Sequence, residues 1–408
     1  MDYSLYIHIP FCTHRCAYCD FNTYAGQGAS IPPYVDALGM EIRSVGQRPA
    51  SSRGGPARQA GRTVHTIFFG GGTPSLLSPD QFESILRSVR QHFSLTENAE
   101  ITIEANPGTV DPGQLQRLRG LGINRISFGV QSANREELQL LERRHDFFDV
   151  IDSVSWAQAA GFENLNLDLI YGLPEQTLET WQRTVEQILK LNPSHISAYA
   201  LTLEHGTPFG RWSARGLLPL PDPDLAAEMY EWASEVFESS GYHQYEISNW
   251  AKRDHECLHN LQYWRGLPYL GFGAGAHGYA HGYRYSNVLR IKTYIDRLAT
   301  APADTAEFEF PLSSATVNYH RQTPGDDMSE YMLTGLRLTR EGIDPAAFRS
   351  RFGCELKDVY QREIDELIRL GLLEWHLGTS EVSQTSEVLR LTRRGRLLGN
   401  RVFMRFVN

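Results

Sequence analysis

Six short apolar runs, Leu5–Ile9, Thr66–Phe69, Glu100–Glu104, Arg125–Val130, Asn164–Tyr171 and His195–Leu201, alternate with amphipathic stretches over the first half of the chain. Several are rich in Ile, Val, Phe and Tyr and are bounded by Gly, Pro or Asn, as strands are. Between them, Pro33–Val45, Pro79–His92, Pro112–Leu121, Arg135–Arg143 with Val150–Ala160, and Leu178–Leu191 space their apolar residues as helices do. Strict alternation of this kind implies a parallel sheet. Periodicity leaves two arrangements open, a (β/α) barrel and a doubly wound sheet. In a barrel, function sits at the C-terminal ends of the strands, so the residues just past each run are the ones to inspect.

Past the first run lies Phe11-Cys12-Thr13-His14-Arg15-Cys16-Ala17-Tyr18-Cys19-Asp20-Phe21. Three thiolates on one short loop can ligate three irons of a [4Fe–4S] cube and leave the fourth iron open, whereas electron-transfer clusters are closed by a fourth Cys. Structural zinc would want four N/S ligands, usually as two pairs. The second pair is missing, and His14 is more simply an exposed loop residue. A disulfide framework fits poorly: five Cys in 408 residues is an odd number, and the chain shows no signal-peptide pattern, so it reads as a reduced cytoplasmic protein. Past the second run, Gly70-Gly71-Gly72-Thr73-Pro74 lets the backbone approach a ligand and present its carbonyls. A phosphate loop would end in Lys-Ser/Thr, which is absent. Glu104 ends the third run, Gln131 follows the fourth, and Asp168 interrupts the fifth. A carboxylate in an apolar strand is costly unless partnered or functional; a structural hydrogen bond is the plain alternative.

The Cys-x3-Cys-x2-Cys loop followed by the glycine run resembles the radical S-adenosylmethionine (SAM) superfamily. Over nearly its whole length the chain is similar to the oxygen-independent coproporphyrinogen III oxidase-like family. The resemblance implies a partial (β/α)6 barrel, a [4Fe–4S] cluster on Cys12, Cys16 and Cys19, and SAM held at the open iron. It implies SAM contacts for Tyr6, Gly71, Gly72, Thr73, Glu104, Gln131, Arg143 and Asp168. Arg143 would pair with the SAM carboxylate, with Arg144 beside it as a one-residue alternative. Phe21 would pack near the cluster, or simply in the core. The implied chemistry is reductive cleavage of SAM, with the electron supplied by an external donor such as flavodoxin or ferredoxin.

Within that family two activities compete: oxidative decarboxylation of coproporphyrinogen III, and heme binding and delivery by the related heme-chaperone HemW group. The oxidase pattern has a further Cys two positions after the third; this chain has Phe21 there. The oxidase also carries an N-terminal extension, whereas only a few residues precede Leu5. Cys257-Leu258-His259-Asn260-Leu261-Gln262-Tyr263-Trp264 contains the H-N-x-x-Y-W pattern typical of the heme-chaperone group. Imidazole and thiolate are ordinary axial ligands of heme iron, and Tyr263 and Trp264 offer flat apolar faces. A His beside aromatics is also a common packing group. With the resemblance, His259 or Cys257 is expected to contact heme. His277 and His281 are further candidates, behind Gly271, Gly273 and Gly275. The expectation is a heme chaperone that keeps a radical SAM site, with the oxidase as the alternative and catalytic turnover left open. A redox-sensing regulatory binding protein is the third class.

Organisation follows composition. Residues 46–62 are rich in Gly, Pro, Ser, Ala and Arg and read as a mobile surface insertion with solvated arginines. Domains are expected at 1–204, 205–327 and 328–408, the Pro/Asp-rich stretch near 301–327 being a linker. The last region, with a hairpin pairing Leu372–Trp375 and Val388–Thr392, resembles a winged-helix-like module. Its Arg393, Arg394, Arg396, Arg401 and Arg405 read as a solvated basic face, because a net charge of −9 argues against a nucleic-acid footprint. No apolar run reaches the ~18 residues of a membrane span. The implied partners are heme and heme-acceptor proteins; a homodimer is left open.

Overall fold

The computed structural model describes residues 2–48, 62–300, 308–377 and 387–407. The chain divides into two compact units, Met1–Ala233 with Pro268–His320, and Ser234–Leu267 with Arg321–Asn408. The stretch that composition groups as 205–327 is therefore shared between both.

In the first unit the six expected strands are β1 (Tyr3–Ile9), β2 (Thr63–Gly71), β3 (Ser94–Ala105), β4 (Arg125–Gln131), β5 (Asn164–Tyr171) and β6 (His195–Ala200). They pair parallel and in chain order. The connections carry α1 (Ile31–Gly46), α2 (Pro79–His92), α3 (Pro112–Gly120), α4 (Arg135–Leu140), α5 (Phe147–Ala159) and α6 (Leu178–Lys190). Local sequence starts these helices. Ser78 and Gln81 form a reciprocal capping box ahead of α2, with Pro79 at the first helical position. Thr177 and Thr180 cap α6, which then buries Trp181, Thr184, Val185 and Ile188 along one stripe.

Strand alternation divides the sheet into two chemistries. Leu5, Ile7, Ile67, Phe69, Ile101, Ile103, Ile126, Phe128, Leu165 and Leu167 are buried on one face. The alternate positions are Ser4, Tyr6, Thr66, Phe68, Thr102, Glu104, Arg125, Ser127, Asn166 and Asp168, polar apart from the Phe68 ring. A polar lining opposite an apolar face is what a barrel with a reactive interior requires, and the site below is built on it.

Four strands outside the expected six extend the sheet beyond β1. They are β7 (Tyr269–Phe272), parallel to β1, then β8 (His277–Ala280), β9 (Tyr283–Asn287) and β10 (Thr316–Arg321). This corrects the reading of Gly271, Gly273 and Gly275 as backbone room for a heme. Gly273 and Gly275 have φ of +100° and +83°, and a Cβ on them would lie 2.6 Å from the His8 carbonyl oxygen and 2.5 Å from the Asn22 amide nitrogen. They let this turn close onto β1 and the cysteine loop. Asn22 Nδ2 donates to Ala274 O and Leu289 O, both at 3.0 Å.

Glu41 of α1 fastens the same region. Its carboxylate accepts from Gly273 N (2.9 Å), Asn287 Nδ2 (2.7 Å), Tyr294 OH (2.6 Å) and Ser313 Oγ (2.7 Å). Burial pushes its acidity toward the neutral form, and these donors pull the other way. Residues 308–321 are thus no linker: Phe310, Leu312 and Ala315 are buried and Ser313 is tied to Glu41. Most of the expected insertion, 49–61, lies outside the described residues. Its flanking arginines are not solvated. Arg48 is buried, and the Arg62 guanidinium lies 3.7 Å over the Phe310 ring.

The second unit carries helices Pro324–Gly335, Pro345–Phe352 and Leu356–Arg369, then an antiparallel pair of strands, Leu373–Leu377 with Glu387–Leu391. Met332, Leu336, Ile343, Phe348, Ile364 and Leu389 are fully or almost fully buried in its core. The basic tail departs from a uniformly solvated face. Arg393 pairs with Glu235 and Glu238, Arg405 with Glu366, and Arg396 donates to Gln244. Among the described residues, no helix is long and apolar enough to cross a membrane.

Candidate cofactor site

The cysteine loop leaves the C-terminal end of β1, where Phe11–Cys12 makes a two-residue parallel bridge with Tyr24–Ala25. The glycine run docks directly on that exit. Gly72 N donates to Ile9 O at 2.9 Å and Thr73 N to Phe11 O at 2.8 Å. A Cβ on Gly72 would meet these backbone atoms at 2.6 to 3.0 Å, so close approach here demands glycine.

A chain of polar contacts then runs around the loop. Thr73 Oγ1 donates to Cys12 Sγ at 3.6 Å. Asn106 Nδ2 donates to Thr73 Oγ1 at 2.9 Å, and Asn106 Oδ1 accepts from Arg143 Nη2 at 2.6 Å. Arg143 Nη1 in turn donates to Cys16 Sγ at 3.7 Å, and Nη2 also reaches Gly129 O. Two of the three sulfurs are therefore linked through Thr73, Asn106 and Arg143. Arg144 is exposed, so of the adjacent pair it is Arg143 that faces the thiols. Gln131 adopts φ +70°. A Cβ on Gly129 would lie 3.0 to 3.2 Å from Gln131 Nε2, Arg143 Nη2 and Asn106 Oδ1, so these three polar groups converge over one bare α-carbon.

Burial pushes the Cys12 thiol up; the Thr73 hydroxyl lowers it and the neighbouring Cys19 and Cys16 raise it further. Cys19 is raised by burial as well. Bare thiolates are disfavoured in such a place, and a bound cation is what makes them stable. Among the described residues no three His, Cys, Asp or Glu side chains converge on a single metal ion. An iron–sulfur cube asks for something else, three sulfurs placed on three separate irons. Three neighbouring thiols with two hydrogen-bond donors aimed at sulfur fit it.

Deeper in the barrel, Glu104 Oε2 accepts from Gly71 N at 2.9 Å. Burial and then the nearby Asp168 carboxylate push the Glu104 acid up to about 7, against the pull of Gly71 N–H and Arg125. Asp168 accepts from Ser127 Oγ (2.7 Å) and Asn166 Nδ2 (2.8 Å), and Asn166 Oδ1 meets His195 Nδ1 at 2.6 Å. Tyr6 OH meets His8 Nδ1 at 3.0 Å, and the Tyr6 ring stacks on Phe68. The arrangement offers carboxylates and backbone polar groups to a cationic ammonium, and Arg143 to a carboxylate. A zwitterionic amino-acid moiety needs that pairing.

The structure thus brings Tyr6, Gly71, Gly72, Thr73, Glu104, Gln131, Arg143 and Asp168 to one end and interior of the barrel with the cysteines. Phe21 is not core: the residue is 67% exposed. Sequence reasoning missed Asn106, which follows Glu104 just past β3 and carried a signal in that position alone. Ser127 and Asn166, which hold Asp168, were also missed.

The expected heme residues lie in the second unit. Cys257 precedes helix Leu258–Trp264; its side chain is fully buried and His259 is nearly so. His259 Nε2 meets Tyr263 OH at 2.8 Å, and the Arg337 guanidinium covers one face of Trp264 at 4.3 Å. His277 and His281 belong to the first unit, where His281 packs edge-on against Phe310.

The pattern of the radical SAM superfamily matches residues 6–188, and that of the HemN C-terminal domain matches residues 322–398. The chain is 37% identical over 405 residues to the heme chaperone HemW of Bacillus subtilis (strain 168), covering 99% of each protein. It is 34% identical to the heme chaperone HemW of Escherichia coli (strain K12), covering 99% of this chain and 98% of that one. Among solved structures it resembles coproporphyrinogen III oxidase (HemN) from Escherichia coli, a radical SAM enzyme. The TM-score is 0.78 at 26% identity, over 99% of this chain and 90% of that one.

Proposed function

This chain belongs to the HemW family of heme chaperones within the radical SAM superfamily, and from that premise we propose that it binds heme and delivers it to acceptor proteins while its barrel holds a [4Fe–4S] cluster and SAM. The end-to-end likeness to heme chaperones carries this reading, because it takes in the Cys257–Trp264 segment as well as the cysteine loop. Cys12, Cys16 and Cys19 would ligate the cluster. Thr73 and Arg143 would donate to its sulfur ligands, with Asn106 holding both donors in place. Glu104 and the Gly71–Gly72 backbone would receive the SAM amino group, Arg143 its carboxylate, and Tyr6, Gln131 and Asp168 the rest of the molecule. The cluster, when bound, supplies the electron that SAM cleavage needs, drawn from a donor of the flavodoxin or ferredoxin kind. Heme ligation by His259 or Cys257, flanked by Tyr263 and Trp264, would need helix Leu258–Trp264 to open, since both ligand side chains are interior.

The test is heme uptake and release. Anaerobically purified full-length protein is titrated with heme and followed in the Soret band, and the loaded protein is then mixed with apomyoglobin. Saturable uptake followed by transfer to the globin is the expected result. Absence of saturable uptake would sink the reading. The oxidase alternative rests on the structural likeness to HemN and is tested separately by turnover of coproporphyrinogen III.

A further inference from the structure

Gln131 and Arg143, the proposed SAM contacts on either side of α4, both depend on one buried acid between them. Gln131 closes β4 in the left-handed region, at φ +70°, where a residue other than glycine stays only if its surroundings hold it. The next residue, Ser132, is fully buried. Its hydroxyl accepts from Asn134 N at 2.9 Å and donates to Glu137 Oε2 at 2.5 Å. The same Glu137 oxygen accepts from Gln176 Nε2 at 3.1 Å, and Gln176 Oε1 accepts from Leu173 N at 3.1 Å. One oxygen therefore ties the exit of β4 to the exit of β5.

The tie reaches further on both sides. Glu137 lies in α4, and just past that helix Arg143 N donates to Leu138 O at 2.8 Å. The turn that aims the Arg143 guanidinium at Cys16 thus closes on the residue next to Glu137. On the other side, Leu173 packs in one apolar cluster with Leu141 and with Ala17, which lies between Cys16 and Cys19. Gln131, Arg143 and the cysteine loop share a single anchor.

Packing alone accounts poorly for an acid at this place. Glu137 is 7% exposed, and its second oxygen, Oε1, is buried without a hydrogen-bond partner. Leaving such an atom unpaired costs stability. Proteins accept local losses of this kind where geometry serves a site.

We propose that Glu137 is a positioning residue for SAM. Through Ser132 it holds Gln131 in its left-handed conformation, and through Gln176 it holds the β5 exit against the cysteine loop, so that Gln131 and Arg143 meet the cofactor in fixed places. The proposal rests on the reading of the barrel as a SAM site and adds to it a residue that acts through others.

The test measures SAM affinity of the cluster-reconstituted full chain by anaerobic equilibrium dialysis. The change that SAM makes in the electron paramagnetic resonance spectrum of the reduced cluster is the second readout. Glu137→Ala removes both hydrogen bonds and is expected to weaken SAM binding about tenfold, with a smaller spectral change at unchanged iron and sulfide per chain, as misplaced contacts demand. Gln176→Ala cuts one arm of the tie and is expected to weaken binding in the same direction. The double variant should lose no more than Glu137→Ala alone, because the two residues act as a unit. Glu137→Gln keeps a carbonyl oxygen that can accept from both donors and is expected to restore SAM affinity to within about twofold of the wild type. Val89→Ala supplies the control for stability: it trims a fully buried side chain at the end of α2, and should lower the melting temperature while leaving SAM affinity alone.

Unchanged SAM affinity and spectral response in Glu137→Ala overturn the role. Equal losses in Glu137→Gln and Glu137→Ala overturn the hydrogen-bonded tie as its basis, and an equal loss in Val89→Ala reduces it to general stability. If Glu137→Ala does not fold, Gln176→Ala carries the same test with the acid and Ser132 in place. A wild type that binds no SAM removes the barrel reading and this role together, whereas SAM binding that ignores Glu137 removes the role alone.

Discussion

Asn106 carries no charge and ligates nothing, yet the two halves of the cofactor site meet on it. Its amide donates to Thr73 and accepts from Arg143, the two residues that in turn contact Cys12 and Cys16. Replacing it by Leu leaves one Arg143 N–H without its partner and frees the Thr73 hydroxyl. The expected stability loss is about 1–3 kcal/mol, the usual consequence of orphaning a buried polar group. The more telling readout is the reconstituted cluster: Asn106→Leu should lower iron and sulfide per chain and shift the electron paramagnetic resonance signal of the reduced form. A purely structural role would cost stability and leave that signal alone.

Glu104 makes a second prediction at the same scale, in pH. Its pKa in the folded chain is pushed up to about 7, from an ordinary 4.5, by burial and then by Asp168. Between these values the folded chain keeps a proton that the unfolded chain gives up. The stabilising contribution is full below the ordinary value and is lost as pH rises through about 7. Urea denaturation of cluster-free protein should therefore show stability falling across that window, and Glu104→Gln should fall less steeply. Glu41 and Glu246 are also raised by burial, so the difference between the two profiles is the quantity to read. Parallel profiles would remove Glu104 as a source of the slope.

At the scale of elements, the glycines separate fold from site. Gly72 faces backbone atoms of Ile9 and Phe11, which cannot move without displacing the exit of β1. The three atoms nearest a Cβ on Gly129 are all side-chain ends, those of Gln131, Arg143 and Asn106. Gly72→Ala should destabilise the protein by about 1–3 kcal/mol through overpacking. Gly129→Ala should leave the melting temperature nearly unchanged and weaken cluster retention, because the intruding methyl pushes Arg143 away from Cys16. Equal stability losses in the two variants would contradict this division.

The six barrel strands were legible because each is an apolar run closed by Gly, Pro or Asn, and alternation with helices left few ways to connect them. The strands from Tyr269 to Arg321 were not. Their density of Gly, His and aromatics reads in sequence as ligand chemistry, and the Pro/Asp-rich stretch near 301–327 reads as a linker, whereas Gly273 and Gly275 serve close packing on β1 and the cysteine loop. Periodicity also tells which face a side chain takes, but not which neighbours it meets across strands. Asp168 stood out as a carboxylate among apolar residues, while its partners Ser127 and Asn166, and the bridging Asn106, drew no attention as small neutral residues.

For the whole molecule the question is what a radical SAM barrel does in a heme carrier. The fold alone does not decide it, since this chain shares its fold with HemN, an oxidase. The differences lie in particular residues. Phe21 stands where the oxidase pattern has a further Cys, and its ring is turned largely to solvent. A decarboxylase must bind the porphyrinogen with its propionates at the radical source and exclude water there, and an exposed ring at the edge of the cluster loop does little toward that. Cluster-reconstituted protein incubated without oxygen with reductant, SAM and coproporphyrinogen III should leave the porphyrinogen mass unchanged, even where SAM is consumed. Product lighter by carbon dioxide, formed over many turnovers, would make the chain an oxidase and reduce heme binding to affinity for a related ring. Consumption of SAM without change in porphyrinogen, together with heme transfer to an acceptor, would instead tie the barrel's chemistry to the handling of heme.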